Sequence, residues 1–329
     1  VSIAFDVPED LKGEFEFIPG QYVTLQADLD GSVLRRAYSI CSKPSSGELR
    51  VSVKEVPNGR FSQFANRKLK AGDQMEVAAP EGRFTLETSD VPKNYMAFAA
   101  GSGITPVISM VQTVLEEEPE SRFVLVYGNK SKKQTMFREN LDALKETYGD
   151  RFTLYYLFCQ IISDNAFFGR IDKKLVKEVL DKNDPASFDD FFLCGPEKMI
   201  DTVREELIKQ GVKEDSIKFE LFSTSSHKIE VKKELSGNTE ITVLLDDEET
   251  TFEMRKDEFV LDAALAKGLD APYSCQGGIC SSCLARVTEG SATMERNNIL
   301  DEDEVKEGLI LTCQAHPTSD VIKIDFDDV

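Results

Sequence analysis

The rhythm of apolar and polar positions changes twice along this chain. Over residues 1–91 short alternating runs at 14–17, 22–27, 36–40, 49–55 and 74–79 predict strands. Pro19-Gly20, Pro44, Pro57-Asn58-Gly59 and Pro80-Glu81-Gly82 separate those runs, and one stretch, 61–69, has helical spacing. Short strands closed by tight turns predict a small all-β barrel.

From Tyr95 the pattern becomes strand and helix in turn. Strands are expected at 95–100, 123–127, 152–158, 188–194 and 217–222, and helices at 106–118, 134–148, 172–180 and 197–210. That alternation predicts an α/β domain, a parallel sheet covered on both faces. Residues 223–237, rich in Ser, Lys and Glu without periodicity, read as a linker. Residues 238–329 read as an α+β unit with strands at 241–245, 250–254, 285–288 and 321–326 and a helix at 259–267. The expected organisation is therefore multi-domain: 1–91, 92–222, a linker at 223–237, and 238–329, with no internal repeat.

Composition narrows the classes. At 329 residues and 41% apolar content the chain suits two or three soluble domains. The most apolar region, 96–114, is broken by Gly101, Ser102, Gly103, Thr105 and Pro106, so no membrane span is expected, and no signal peptide is visible. Cys41, Cys159 and Cys194 are scattered as free thiols are in a reducing cytoplasm. The net charge is −20, and residues 230–329 hold 23 Asp and Glu against 9 Lys and Arg. Such a surface argues against nucleic acid and anionic membranes. It serves solubility, or steers the module to a basic docking site on an acceptor.

Chemistry concentrates first in Cys275-Gln-Gly-Gly-Ile-Cys280-Ser-Ser-Cys283, with Cys313 thirty positions on. C-x₄-C-x₂-C with a distant fourth cysteine is the plant-type [2Fe–2S] spacing. Three thiolates come from one tight loop and the fourth from elsewhere, while Gly277 and Gly278 let backbone N–H groups turn toward the sulfurs. A Cys₄ zinc site usually pairs two C-x₂-C knuckles, and here there is one. A disulfide pair would suit a secreted chain. A Rieske centre needs two histidine ligands, and neither His227 nor His316 stands in a C-x-H arrangement.

Two further sets of residues suit nucleotides. Along a strand, Arg36 and Tyr38 of Arg36-Ala-Tyr38-Ser39 share one side: a guanidinium for phosphate, a phenol for a flat ring, and then a hydroxyl for a ring nitrogen. Gly59-Arg60-Phe61-Ser62 opens a helix whose free N–H groups would receive an anion. A surface strand and an ordinary capped helix explain each motif equally well when taken alone. Gly101-Ser102-Gly103-Ile104-Thr105-Pro106 follows a strand and opens a helix, with Thr105 as N-cap and Pro106 at the first helical position. The next strand ends in Tyr127-Gly-Asn129-Lys130-Ser131-Lys132-Lys133, without the acidic residue that would hold a ribose, so a 2′-phosphate and NADPH are favoured over NADH. A solvated lysine-rich turn is the plain alternative.

Taken together these motifs resemble the ferredoxin–NADP reductase superfamily joined to a plant-type ferredoxin (β-grasp) domain. The resemblance implies that Arg36, Gly59 and Ser62 hold the flavin phosphates, that Tyr38 stacks on the isoalloxazine, and that Ser39 approaches N5; Arg60, which adds charge to that turn, and Phe61 are further cofactor-binding candidates. Val53 and Lys54 would lie along the ring. The implied flavin is FAD, with FMN in some relatives. Residues 101–106, Asn129, Lys130 and Ser131 would hold the nicotinamide nucleotide. Cys194-Gly195-Pro196 would lie by the nicotinamide, with Glu220 and Phe222 of Phe219-Glu220-Leu-Phe222 nearby. Ser39, Tyr38, Thr105, Cys194 and Glu220 are the expected catalytic residues, with no nucleophilic role for Cys194.

The module order resembles that of the one-component reductases of multicomponent oxygenases, more narrowly those of phenylacetyl-CoA epoxidase type in phenylacetate degradation, with ketosteroid 9α-hydroxylase reductases close behind. It implies an NAD(P)H:acceptor oxidoreductase whose partner is a di-iron or Rieske oxygenase. A flavin takes two electrons as hydride and passes them on singly, which a one-electron cluster requires. The competing readings are a non-catalytic redox sensor and a stand-alone diaphorase or hybrid-cluster reductase. One departure is Phe158-Cys-Gln160-Ile-Ile-Ser163, apolar where relatives carry a polar loop before Gly169-Arg170-Ile171.

Overall fold

The computed structural model describes residues 1–29, 31, 33–160, 167–223 and 235–329. They fall into two compact units, Val1–Ser223 and Thr224–Val329. Residues 161–163 of the departing loop and 224–234 of the expected linker lie outside the described residues.

The first unit opens with β1 (Ser2–Phe5), β2 (Tyr22–Asp28), β3 (Val33–Ser39), β4 (Leu49–Ser52), α1 (Arg60–Arg67) and β5 (Glu76–Val77). β2 lies between β3 and β5, and β1 pairs with β4, all antiparallel. A bridge from Ile40 to Val51 joins the two sheets. Inside the curl sit Val23, Leu25, Ile40, Leu49, Val51 and Val53, with Phe61 and Ala65 of α1 pressed on them. The strand expected at 14–17 is not formed. The Leu11 carbonyl accepts both Glu14 and Phe15 N–H groups, so this stretch is a set of turns. Its alternation arises because Phe15 and Phe17 pack onto the barrel core from a loop.

Continuous apolar runs then build a doubly covered sheet from β6 (Asn94–Ala100), α2 (Ile104–Glu117), β7 (Arg122–Asn129), α3 (Arg138–Tyr148), β8 (Phe152–Phe158), β9 (Phe167–Phe168), α4 (Lys173–Lys182), β10 (Asp190–Pro196), α5 (Glu197–Lys209) and β11 (Ile217–Ser223). The order is β11-β10-β6-β7-β8-β9, parallel throughout. The chain runs outward from β6 on one side and returns to β10 on the other. The switch point therefore falls between β6 and β10, where open α/β sheets bind ligands beyond their carboxyl ends. Thr105 is not the N-cap. A 3-10 turn at Gly101–Gly103 tightens the entry, α2 begins at Ile104, and the Thr105 hydroxyl donates to the Ser102 carbonyl at 3.0 Å.

Barrel and sheet share one interface. The Ser109 hydroxyl donates to the Ser42 carbonyl at 2.6 Å, Phe84 packs edge-on against Phe192, and Lys218 donates to the Thr85 carbonyl at 3.0 Å. Buried Glu118 accepts from the Tyr95 hydroxyl at 3.1 Å and from the Ser89 N–H at 3.0 Å, fixing the crossing between them.

The second unit comprises β12 (Asn238–Leu245), β13 (Glu248–Arg255), α6 (Val260–Ala266), β14 (Leu284–Glu289), β15 (Ala292–Met294), α7 (Glu302–Lys306), β16 (Leu309–Leu311), β17 (Ala315–Pro317) and β18 (Val321–Asp325). Its sheet runs β13-β12-β18-β14-β16, with β12 and β18 parallel, and β15 pairs separately with β17. α6 lays Val260, Leu261, Ala263 and Ala264 on the sheet, as the β-grasp architecture requires. β15, β16, β17 and α7 escape the sequence pattern because three to five residues are too few to show a period.

The tightest contact at the switch point is between Gly103 and the end of β10. A methyl on Gly103 would lie 2.2 Å from the Cys194 carbonyl oxygen. Gly103→Ala should therefore destabilise the first unit by about 1–3 kcal/mol. Urea denaturation followed by far-UV circular dichroism measures it, and an unchanged midpoint would contradict the contact.

Candidate cofactor sites

The C-terminal ends of β6 and β10 bring Gly101–Gly103 and the Cys194-Gly195-Pro196 turn together, with the first turn of α2 exposing its N–H groups there. The Tyr127 hydroxyl donates to the Gly101 carbonyl at 2.9 Å and so braces that loop. Tyr127 stood out in the sequence only as part of the Tyr127-Gly-Asn129 turn, and its contact with the Gly101 loop is one that no local pattern shows. Cys194 is fully buried, and desolvation followed by the charge of Glu220 holds its thiol well above the ordinary value. It is a neutral thiol beneath the site.

β11 places Glu220 beside Cys194 in register. The Ser39 hydroxyl, at the end of β3, donates to Glu220 Oε2 at 3.5 Å, so barrel and sheet meet at these two residues. Burial pushes the Glu220 carboxyl up to about 8 against the opposing effect of Ser39. At neutral pH Glu220 is mainly a protonated acid able to hold a proton at the crevice. Phe222, two residues on, packs on the core of the sheet lobe.

On the barrel, Tyr38 stands over Phe61 with ring centroids 5.6 Å apart. Burial pushes its phenol up to about 12, so it presents a neutral ring. Phe61 itself is core and packs against the Tyr38 ring from below. Arg36 lies near enough to oppose the shift of Tyr38, and donates to the Arg35 carbonyl at 2.5 Å. Gly59 caps α1, and Arg60 reaches back to the Leu29 carbonyl at 2.6 Å. The Ser62 hydroxyl is engaged within the turn, donating to Gly59 O at 3.1 Å and accepting from Val56 N at 3.2 Å. That hydroxyl is therefore already engaged, and the first-turn N–H groups and Arg36 are the groups here that could receive an anion. Val53 is buried in the barrel, leaving the next residue, Lys54, for the crevice.

Lys54 meets Lys130 across the lobes. Partial desolvation and then the charge of Lys130 lower the Lys54 ammonium, and the ammonium lies 3.9 Å from where a Gly101 methyl would sit. Two cations brought together beside exposed helix N–H groups suit a dinucleotide's phosphates. Asn129 and Ser131 are buried on either side of Lys130. The Asn129 carboxamide lies near the Tyr127 hydroxyl but makes no hydrogen bond of normal geometry at either end. A buried amide in that state fits a ligand group that completes it.

In the second unit the four thiols touch: Cys275 lies against Cys280 and Cys313, and Cys283 against Cys313. Cys280, Cys283 and Cys313 are buried, with Cys275 at the rim. Hydrogen bonds from these neighbours hold the Cys275 and Cys283 thiols below the ordinary value. Backbone donors do aim inward, since the Gly277 N–H reaches the Cys275 sulfur at 3.3 Å and Ile279 also contributes. The Thr312 N–H and hydroxyl both bind the Cys283 carbonyl, at 3.0 and 2.9 Å, pinning the fourth cysteine's segment to the loop. Next to Cys275, the buried Ser274 hydroxyl makes no hydrogen bond. The set of four thiols, inward N–H groups and an unengaged hydroxyl fits a polynuclear sulfur cluster. His316 has no place in it: its ring nitrogens are taken by the Glu258 carbonyl and the Glu295 carboxylate, at 3.0 and 3.1 Å.

Comparison with known proteins agrees with each part. Residues 2–86 match the family model described as oxidoreductase FAD-binding domain. Residues 98–205 match the oxidoreductase NAD-binding domain, and 243–318 the 2Fe-2S iron-sulfur cluster binding domain. A component of the 1,2-phenylacetyl-CoA epoxidase of Escherichia coli (strain K12) is 39% identical over 99% of this chain and 93% of its own length. The ferredoxin reductase component of 3-ketosteroid-9-alpha-monooxygenase from Rhodococcus rhodochrous is 34% identical over 99% of this chain and 92% of its own. Among solved structures, phthalate dioxygenase reductase superposes with a TM-score of 0.58 at 25% identity, covering 94% of this chain and 88% of that one.

Glu220 makes the stability of the first unit depend on pH. Its folded value of about 8 lies above the unfolded 4.5, so the folded state holds the extra proton between them. Stability through this group is complete below the unfolded value and is lost as pH rises toward the folded one. Glu220→Gln should flatten that slope in urea midpoints measured from pH 5 to pH 9. An identical slope would remove Glu220 as its source.

Proposed function

Because this chain belongs to the family of reductases that join FAD-binding, NAD-binding and 2Fe-2S domains and deliver electrons in oxygenase systems, we propose that it serves an oxygenase of phenylacetyl-CoA epoxidase type, drawing on NADPH. The observation that carries this reading is the presence, in one polypeptide, of a two-lobed nucleotide crevice and a four-thiol cradle. When bound, the flavin accepts hydride and the cluster takes electrons one at a time.

The chain's own residues then have separable tasks. Arg36 and the first turn of α1 hold the flavin phosphates, and Tyr38, backed by Phe61, offers its ring to the flavin. The first turn of α2, Lys54, Lys130 and Asn129 hold the nicotinamide nucleotide. Glu220, kept protonated by burial and accepting from the Ser39 hydroxyl, would hold a proton at the crevice, and the buried Cys194 thiol would close its floor. Cys275, Cys280, Cys283 and Cys313 are the cluster ligands. No helix among the described residues is long and apolar enough to cross a membrane, and the scattered free thiols support a cytoplasmic setting. The NADPH preference rests on Lys130 and the missing acidic residue at the end of β7.

Two measurements test this. Cys280→Ser should abolish reduction of the oxygenase component while NAD(P)H-dependent ferricyanide reduction continues, and equal loss of both would break the division of labour. Lys130→Ala should lower kcat/KM for NADPH by on the order of tenfold and leave NADH much less affected. A matched loss would show that Lys130 does not read the 2′-phosphate.

A further inference from the structure

Gln314 follows the fourth cysteine and is 6% exposed. Its backbone is held twice, donating to the Leu311 carbonyl and accepting from the Glu295 N–H, both at 2.8 Å. Its carboxamide nitrogen lies 2.7 Å from the Cys313 carbonyl, 3.3 Å from the Gln276 carbonyl and 3.7 Å from the Cys313 sulfur. Gln276, directly after the first cysteine of the three-cysteine loop, stands at φ 51°, a left-handed conformation that a side chain like glutamine rarely adopts. Two residues on, Gly278 at φ 69° leaves room for the glutamine, since a methyl there would meet Gln314 Cγ and the Arg296 carbonyl oxygen, each at 3.1 Å. The glutamine side chain thus lies flat on the loop with its amide between two ligand-bearing segments.

We propose that Gln314 is a positioning residue of the cluster: its carboxamide clasps the three-cysteine loop to the fourth ligand and donates an N–H to the Cys313 sulfur, raising the cluster's reduction potential. This rests on the [2Fe–2S] reading of the four thiols. The amide nitrogen carries two hydrogens. The short contact to the Cys313 carbonyl takes one, which leaves the other for the Gln276 carbonyl and the Cys313 sulfur. A donor facing a thiolate stabilises negative charge. Reduction adds charge to the cluster, so the donor favours the reduced form. A hydrogen bond to a charged group changes such an equilibrium by about tenfold, equivalent to about 59 mV for a one-electron couple. Gln314 thereby adjusts how readily the cluster takes an electron without changing any ligand.

The test is an EPR-monitored redox titration of the full chain, preceded by iron and sulfide analysis. Gln314→Met keeps the length of the side chain and its packing on Gly278 but has no N–H. It should retain the cluster, show a potential lower by about the tenfold equivalent, and leave NAD(P)H-dependent ferricyanide reduction unchanged. An unshifted or raised potential overturns the proposal. If that variant assembles no cluster, the unmutated Gln314 carries the test. In a Gln276→Asn background, Gln314 is the remaining glutamine of residues 238–329. With glutamine labelled by nitrogen-15 at the side chain, electron–nuclear double resonance of the reduced cluster should show its coupling, and no coupling overturns the proposal. Iron and sulfide absent from the wild-type chain would overturn the cluster reading together with the proposal, a result distinct from an unshifted potential.

Discussion

The nucleotide crevice depends on how closely a helix can approach a strand end. Gly103 has no side chain, so the start of α2 lies directly against the Cys194 carbonyl at the C-terminal end of β10. That contact falls between β6 and β10, where the sheet reverses its direction of growth, so the helix N-terminus faces the opening that the topology creates. The rest of the crevice follows. β11 continues from β10 and places Glu220 level with Cys194, and the barrel closes over it so that Ser39 reaches the Glu220 carboxyl. A bulkier residue at position 103 would separate the elements on which those alignments rely.

Both sites treat charge in a similar way. In the crevice, Lys54, Lys130 and helix N–H groups gather positive potential where phosphates would lie, while Tyr38, Cys194 and Glu220 are kept neutral by loss of solvent. In the cradle, N–H groups of Gly277 and Ile279 and the Gln314 amide point at sulfur in a largely buried pocket. Dry surroundings make each of these dipoles count for more than it would in water. Residues 230–329 carry an excess of acidic residues on the same chain as these inward donors, so the module can be anionic overall and still favour added negative charge at its centre.

Much of this was legible in the chain. The parallel sheet appears in the apolar runs of β6, β7, β8 and β10, since strands buried on both faces carry little polar alternation. The C-x₄-C-x₂-C spacing announced the cradle, and Arg36, Tyr38, Gly59 and residues 101–106 stood out as a set. The errors have local causes. Phe15 and Phe17 imitate a strand because a loop can present alternating side chains to a core. Thr105 looked like a cap because a hydroxyl before proline normally is one, and the 3-10 turn ahead of it was not readable. Gln314 carries no motif and Tyr127 only that of a turn, and their contacts arise from where Gln276 and Gly101 lie.

What the sequence by itself determined was the kind and order of the modules and the identity of the thiols, because these depend on periodicity and on spacing within a few residues. Tertiary structure alone decided which charges meet and which groups lose water. Ser39 and Glu220, or Lys54 and Lys130, are far apart along the chain, and their protonation and field depend on burial and distance that no local pattern encodes.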